Sequence, residues 1–99
     1  MDSNEQRESV YMKSLEISIQ NAIGLHALPA TLFVQTARKY KSDISVSYGN
    51  KMVSGKDLLG MLNLNVTKDA KICLNADGED EDSALNDLKI LIESDFKRC

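Results

Sequence analysis

The sequence contains one histidine and one proline, and both fall in the run Gly24-Leu25-His26-Ala27-Leu28-Pro29-Ala30. An alternating apolar pattern precedes this run and a helical pattern follows it, so His26 falls where a strand gives way to a helix. Gly24 permits a tight turn or a positive φ. Pro29 suits the first turn of a helix, where amide hydrogens have no carbonyl partner in any case. An imidazole in this position lies beside free backbone N–H groups and the positive end of the helix dipole. The same groups stabilise a phosphate or other anion attached to it. Residue types alone leave a second reading open, a surface or capping histidine with no chemistry.

The elements that must position His26 follow from periodicity. Leu15, Ile17 and Ile19 alternate with polar residues and predict a half-buried strand. A helix is expected from about Ala27 to Lys39, with Ala30, Phe33, Val34 and Ala37 buried and Thr31, Gln35 and Arg38 on its polar side. Ile44, Val46 and Tyr48 predict a second strand. It is joined by a Gly49-Asn50 turn to a third strand, Lys51 to Val53. Gly55 breaks that pattern, and Asp57 is placed to cap a short helix from Leu58 to Asn63. Asn65 tolerates the left-handed backbone that would end it. Lys71 to Asn75 predicts a fourth strand, with Ile72 and Leu74 inward. The acidic run Asp77-Gly78-Glu79-Asp80-Glu81-Asp82 leads into a last helix with Ala84, Leu85, Leu88, Leu91 and Ile92 buried. The run lacks the alternating loop ligands of a calcium site and reads as solvated capping charge. The order β-α-β-β-α-β-α predicts an α+β fold, one antiparallel sheet with helices covering one face.

Ninety-nine residues suit one domain with one modest core. Residues 1–10, polar and acidic, read as a flexible tail, and 11–99 as the domain. Fifteen acidic and 12 basic side chains leave a net charge of −3, which exerts no pull towards nucleic acid or anionic membrane. No run is long and apolar enough to span a bilayer, and Met1 to Ser9 lacks the apolar core of a signal peptide, so membrane insertion is not expected and the cytoplasm is. Cys73 and Cys99 fit no zinc or CxxC spacing. No metal and no organic cofactor are expected.

The run Asn21-Ala22-Ile23-Gly24-Leu25-His26-Ala27-Leu28-Pro29-Ala30 resembles the active-site motif of the histidine-containing phosphocarrier proteins, HPr, of the phosphoenolpyruvate-dependent sugar phosphotransferase system. The resemblance continues through Phe33-Val34-Gln35-Thr36-Ala37, through Val53 to Leu62, and through Ala76 to Leu85. It implies an HPr-like open-faced sandwich, with sheet order 1-4-2-3 and three helices on one face. It implies that His26 accepts a phosphoryl group, on Nδ1, within a site formed with Gly24, Ala27, Leu28 and Pro29. The donor is then enzyme I and the recipients are enzyme II A domains. Leu25, Thr31, Leu58, Leu59 and Leu62 are implied as the docking surface of a monomeric carrier.

Two positions depart from the family pattern. Leu28 stands where the family has an arginine that pairs with the phosphate, and leucine offers neither charge nor donor. Transfer is then expected to be slower, or to draw on a basic group elsewhere, with Lys56 and Arg38 the candidates. Asp57 stands where many members carry a regulatory serine. Its charge imitates part of a phosphoserine, or simply serves as a helix cap. These departures keep a second function in view, a non-catalytic or weakly active HPr-like regulatory protein that controls metabolic or transcriptional partners. No nucleophile, base and orienting group assemble into a hydrolase, and no basic field or motif suggests nucleic acid.

Overall fold

The alternating segments form one antiparallel sheet of four strands: β1 (Met12–Ser18), β2 (Asp43–Tyr48), β3 (Lys51–Ser54) and β4 (Lys71–Asp77). Their spatial order is β1-β4-β2-β3. Three helices complete the fold: α1 (Ala27–Ala37), α2 (Leu58–Asn63) and α3 (Glu81–Glu93). The computed structural model describes residues 12–19, 27–94 and 96. The expected tail, residues 1–10, lies outside the described residues.

Register decides which side chains face the helices. Leu15 pairs with Leu74 and Ile17 with Ile72. Val46 lies between Leu74 on one side and Val53 on the other. Ile44, Val46, Ile72, Leu74 and Ala76 are buried, and they share one core with Phe33, Met61, Leu88, Leu91 and Ile92. Leu15 and Ile17 are only half-buried because β1 is an edge strand. The opposite face is polar. Ser14, Asn75, Ser45 and Ser54 form a row across it, and the Ser14 hydroxyl donates to Asn75 Oδ1 at 2.7 Å. The fold is therefore the expected open-faced α+β sandwich.

Several boundaries differ from the sequence expectation, each for a local reason. Helix α1 stops at Ala37 because the amides of Lys39 and Tyr40 bond the carbonyls of Thr36 and Ala37, three residues back. Strand β4 runs on to Asp77 because Met12 and Asp43 pair with that residue from both sides. Asn65 takes φ 60°, as its position after α2 requires. Gly55 sits where a Cβ would approach Ile44 Cγ2 to 2.8 Å and Phe33 Cε1 to 3.2 Å. The link from β3 to α2 thus crosses the core too closely for any side chain.

The acidic run departs from expectation more clearly. Asp80, at the N-cap of α3, makes no side-chain cap bond. Its carboxylate instead accepts the Lys41 and Ser42 amides at 2.8 and 2.9 Å, and the Ser42 hydroxyl as well. Glu81 is buried, and its Oε1 accepts the Gly78 amide at 3.1 Å. The Asp80 carboxylate fastens the α1–β2 loop to the start of α3 and Glu81 closes the turn before that helix, whereas Asp77, Glu79 and Asp82 are exposed as expected. The Ser42 hydroxyl bond, then the Lys41 amide, hold the Asp80 carboxyl below the usual aspartate value.

Candidate functional site

Helix α1 begins at Ala27, the residue after His26. Gly24, Leu25 and His26 themselves lie outside the described residues. Pro29 is buried in the first turn, and Ala30 behind it is fully buried against the core. Pro29 carries no N–H, so within the first turn the amides left without an intrahelical partner are those of Ala27 and Leu28. No acidic side chain occupies the first turn to repel an anion. Thr31 is half-buried, and its hydroxyl donates back to the Ala27 carbonyl at 2.8 Å. Leu28 projects outward, 65% exposed.

Neither basic candidate stands beside Leu28. Arg38 Nε donates to the Lys56 carbonyl at 3.0 Å, and Lys56 Nζ donates to the Tyr40 carbonyl at 2.7 Å. Both groups are thereby tied to the C-terminal end of α1. Ten residues separate Leu28 from Arg38, which at ~1.5 Å of rise per residue is about 15 Å. The expectation that one of them replaces the missing arginine is therefore corrected: a cation held at one end of a helix leaves the other end uncovered.

The second helix supplies the neighbouring surface, since α1 and α2 pack against each other. Asp57 occupies the N-cap of α2 with extended backbone, as expected, but it makes no side-chain cap bond. Its Oδ2 lies 3.0 Å from where a Cβ on Gly60 would stand. The carboxylate thus rests over the first turn of α2, near the positive end of the helix dipole, in space that a glycine leaves open. Met61 is the fully buried residue of α2. Leu58 and Leu62 are half-buried and packed against the core, whereas Leu59 is 71% exposed. Of the three α2 leucines expected to dock partners, Leu59 alone is strongly exposed.

Sequence reasoning missed the Arg38–Lys56–Tyr40 ties. The signal was present in spacing: Leu28, Thr31, Gln35 and Arg38 recur at three- and four-residue intervals and form one stripe of α1. Arg38 fastens that stripe to the residue before Asp57. Cys73 is a free, half-buried thiol on β4, and Cys99 lies outside the described residues. Among the described residues, no group of three or more His, Cys, Asp or Glu side chains could hold a metal. No helix among them is long and apolar enough to cross a membrane.

Residues 13–94 match the family described as PTS HPr component phosphorylation site. The chain belongs to the HPr family. The HPr-C-His protein of Thermoanaerobacter tengcongensis is 45% identical and superposes with a TM-score of 0.84, covering 88% of this chain and 98% of that one. An HPr of Bacillus anthracis is 30% identical with a TM-score of 0.79, over 82% of this chain and 96% of its own. Crh of Bacillus subtilis, a catabolite repression protein described as a swapped dimer, is 33% identical with a TM-score of 0.68, over 83% and 94%. HPr proteins are phosphocarriers whose partners are enzymes of the sugar phosphotransferase system. The matched span encloses His26 and the stripe that follows it.

Proposed function

We propose that this HPr-family protein accepts a phosphoryl group on His26 from enzyme I and passes it to sugar-specific enzyme II A domains, as a monomer in the cytoplasm. The observation that carries this reading is the family match enclosing His26, joined to a helix that starts one residue later. On acceptance the donor's P–N bond breaks as a new P–N bond forms on Nδ1 of His26. On delivery the His26 P–N bond breaks as the recipient's ring nitrogen takes the group. The bonding pair returns to the donor's ring nitrogen. Two imidazoles exchange one group, so no net proton is taken up or released. The open amides of Ala27 and Leu28 favour the phosphoryl charge at this helix start. Positioning and charge stabilisation supply the catalysis, with no metal or organic cofactor.

The test is labelling with phosphoenolpyruvate and enzyme I from the same cell. The expected result is one acid-labile, alkali-stable phosphate per chain, absent from H26A. Full labelling of H26A would remove the assignment. A folded protein that takes no label at all would favour a second reading, a regulatory HPr-like protein. The likeness to Crh and the exposed aspartate at position 57 support that alternative.

A further inference from the structure

Helices α1 and α2 pack together and run in opposite directions. Arg38 follows the end of α1 and Lys56 precedes the start of α2, and the two termini are bonded there. Helix α1 has 11 residues and α2 has six, lengths of about 16 and 9 Å. The start of α1 therefore lies past the end of α2, beside the chain that leaves it. The sheet gives the same sense. Asp43 opens β2 just after the α1 loop and pairs with Asp77, whereas Ser18 and Lys71 pair at the opposite end, where β1 delivers the chain to the motif. The α2–β4 segment crosses that second end. Leu64 and Val66 are buried, the Ile19 amide donates to the Ala70 carbonyl at 2.8 Å, and the Asp69 amide donates to the Ile19 carbonyl at 2.6 Å. Asp69 holds φ 70°, a left-handed backbone that aspartate accepts more often than most residues. Two backbone bonds thus fix Lys68, its neighbour, at the entry to the motif.

Resting on the reading of His26 as acceptor, we infer that the Lys68 ammonium supplies the positive charge opposing the phosphoryl group at the start of α1, where Leu28 carries none. The Lys68 side chain is free to do so. Its Nζ lies 3.5 Å from Asp69 Oδ2, beyond the length of about 2.8 Å of a good charge-assisted bond. The two side chains are 55% and 77% exposed, and an ion pair so open to solvent holds its partners weakly. A phosphoryl group carries up to twice the charge of a carboxylate and draws the ammonium from Asp69. The helix amides meet part of that charge, and the lysine meets more of it. Lysine also suits a group that must leave again. Its ammonium is a point charge on a flexible stem, without the bidentate grip of a guanidinium. No bond forms or breaks at Lys68, which stays protonated through both transfers.

The experiment compares wild type with K68M, K68R and the double variant K51M/K71M. Lys51 and Lys71 stand at the same end of the sheet, Lys51 on the outermost strand and Lys71 on the face away from the helices. All three lysines are exposed, so the urea midpoints should agree. Phosphate is supplied by enzyme I from the same cell, charged with labelled phosphoenolpyruvate. A phosphorus NMR titration of the free phosphorylated proteins reads the charge beside the phosphoryl group with no partner present. The phosphoryl group of K68M should lose its last proton at higher pH than that of wild type, and its kcat/KM should fall about tenfold. K68R and K51M/K71M should match wild type in both. A K68M that titrates like wild type overturns the inference, even if it transfers more slowly, because the lysine would then meet the partner and not the phosphate. So does a K51M/K71M that shifts as far as K68M, because the charge would then be spread over this end of the sheet. Absence of label on folded wild type removes the acceptor reading and this inference together, a result distinct from either of those.

Discussion

Arg38 Nε donates to the backbone carbonyl of Lys56 across 3.0 Å, and the Lys56 ammonium returns a bond to the carbonyl of Tyr40 two residues beyond Arg38. The end of α1 and the approach to α2 are thereby stitched together twice. Tyr40 extends the stitch to α3, its hydroxyl donating to Asp87 at 2.7 Å. Two basic residues that could have served chemistry instead set how the two site helices lie.

K56M keeps the aliphatic stem and removes the ammonium. It should lower stability by about 1 kcal/mol, the usual contribution of a hydrogen bond to a charged donor that is partly exposed. The urea midpoint reads the loss. The rate of His26 labelling should change little, because the ammonium is anchored at the opposite end of α1. A large fall in rate at unchanged stability would place Lys56 in the transfer itself.

Asp80 makes stability depend on acid. Its carboxyl titrates lower in the folded chain than in the unfolded one, chiefly through the Ser42 hydroxyl and then the Lys41 amide. A depressed carboxyl contributes stability in full above the unfolded value, about 3.9, and loses it as pH falls through the folded value. D80N should therefore be less stable than wild type at pH 7, and the gap should narrow below about pH 4. Urea titrations at pH 7 and pH 3 measure it. Equal gaps at both would show that packing, not charge, ties Asp80 to Ser42.

Position 57 separates capping from signalling. Asp57 makes no side-chain cap bond, so D57S should leave the urea midpoint nearly unchanged. A kinase that phosphorylates a serine at this family position should label D57S and not wild type. Label on wild-type Ser54 would move the regulatory site to the end of β3. In the same turn, G60A should fail to give the usual helix gain of about 0.5–1 kcal/mol. Its Cβ would stand 3.2 Å from Val53 Cβ, an atom fixed to strand backbone, as well as against the mobile Asp57 carboxylate. A stabilised G60A would show that the strand yields there.

Ile44 and Val46, or Ile72 and Leu74, announce their strand by alternation, because a half-buried sheet has a period of two. Leu85, Leu88 and Ile92 announce α3 by helical spacing in the same way. Asn65 was legible because few residue types accept its backbone. The Asp80–Ser42 contact was not, since 38 residues separate the two and nothing local marks the pairing. Nor did the sequence say which leucine of α2 faces out. Six residues make fewer than two turns, and only packing on Met61 and the core fixes the rotation. For the site, the helix start after His26 followed from local signals. That Arg38 and Lys56 point elsewhere required the third dimension.

The bonds at Ile19 have a consequence for how such a chain can diverge. Its amide donates to the Ala70 carbonyl at 2.8 Å, its carbonyl accepts the Asp69 amide at 2.6 Å, and its side chain is fully buried. On the far side of the motif, Pro29 and Ala30 are buried as α1 begins. Both anchors are made by backbone and apolar carbon, and neither depends on which side chain occupies position 26. Inheritance of the scaffold is thereby uncoupled from inheritance of the reaction. If His26 is the acceptor proposed above, exchanging it would remove transfer and leave these two anchors in place.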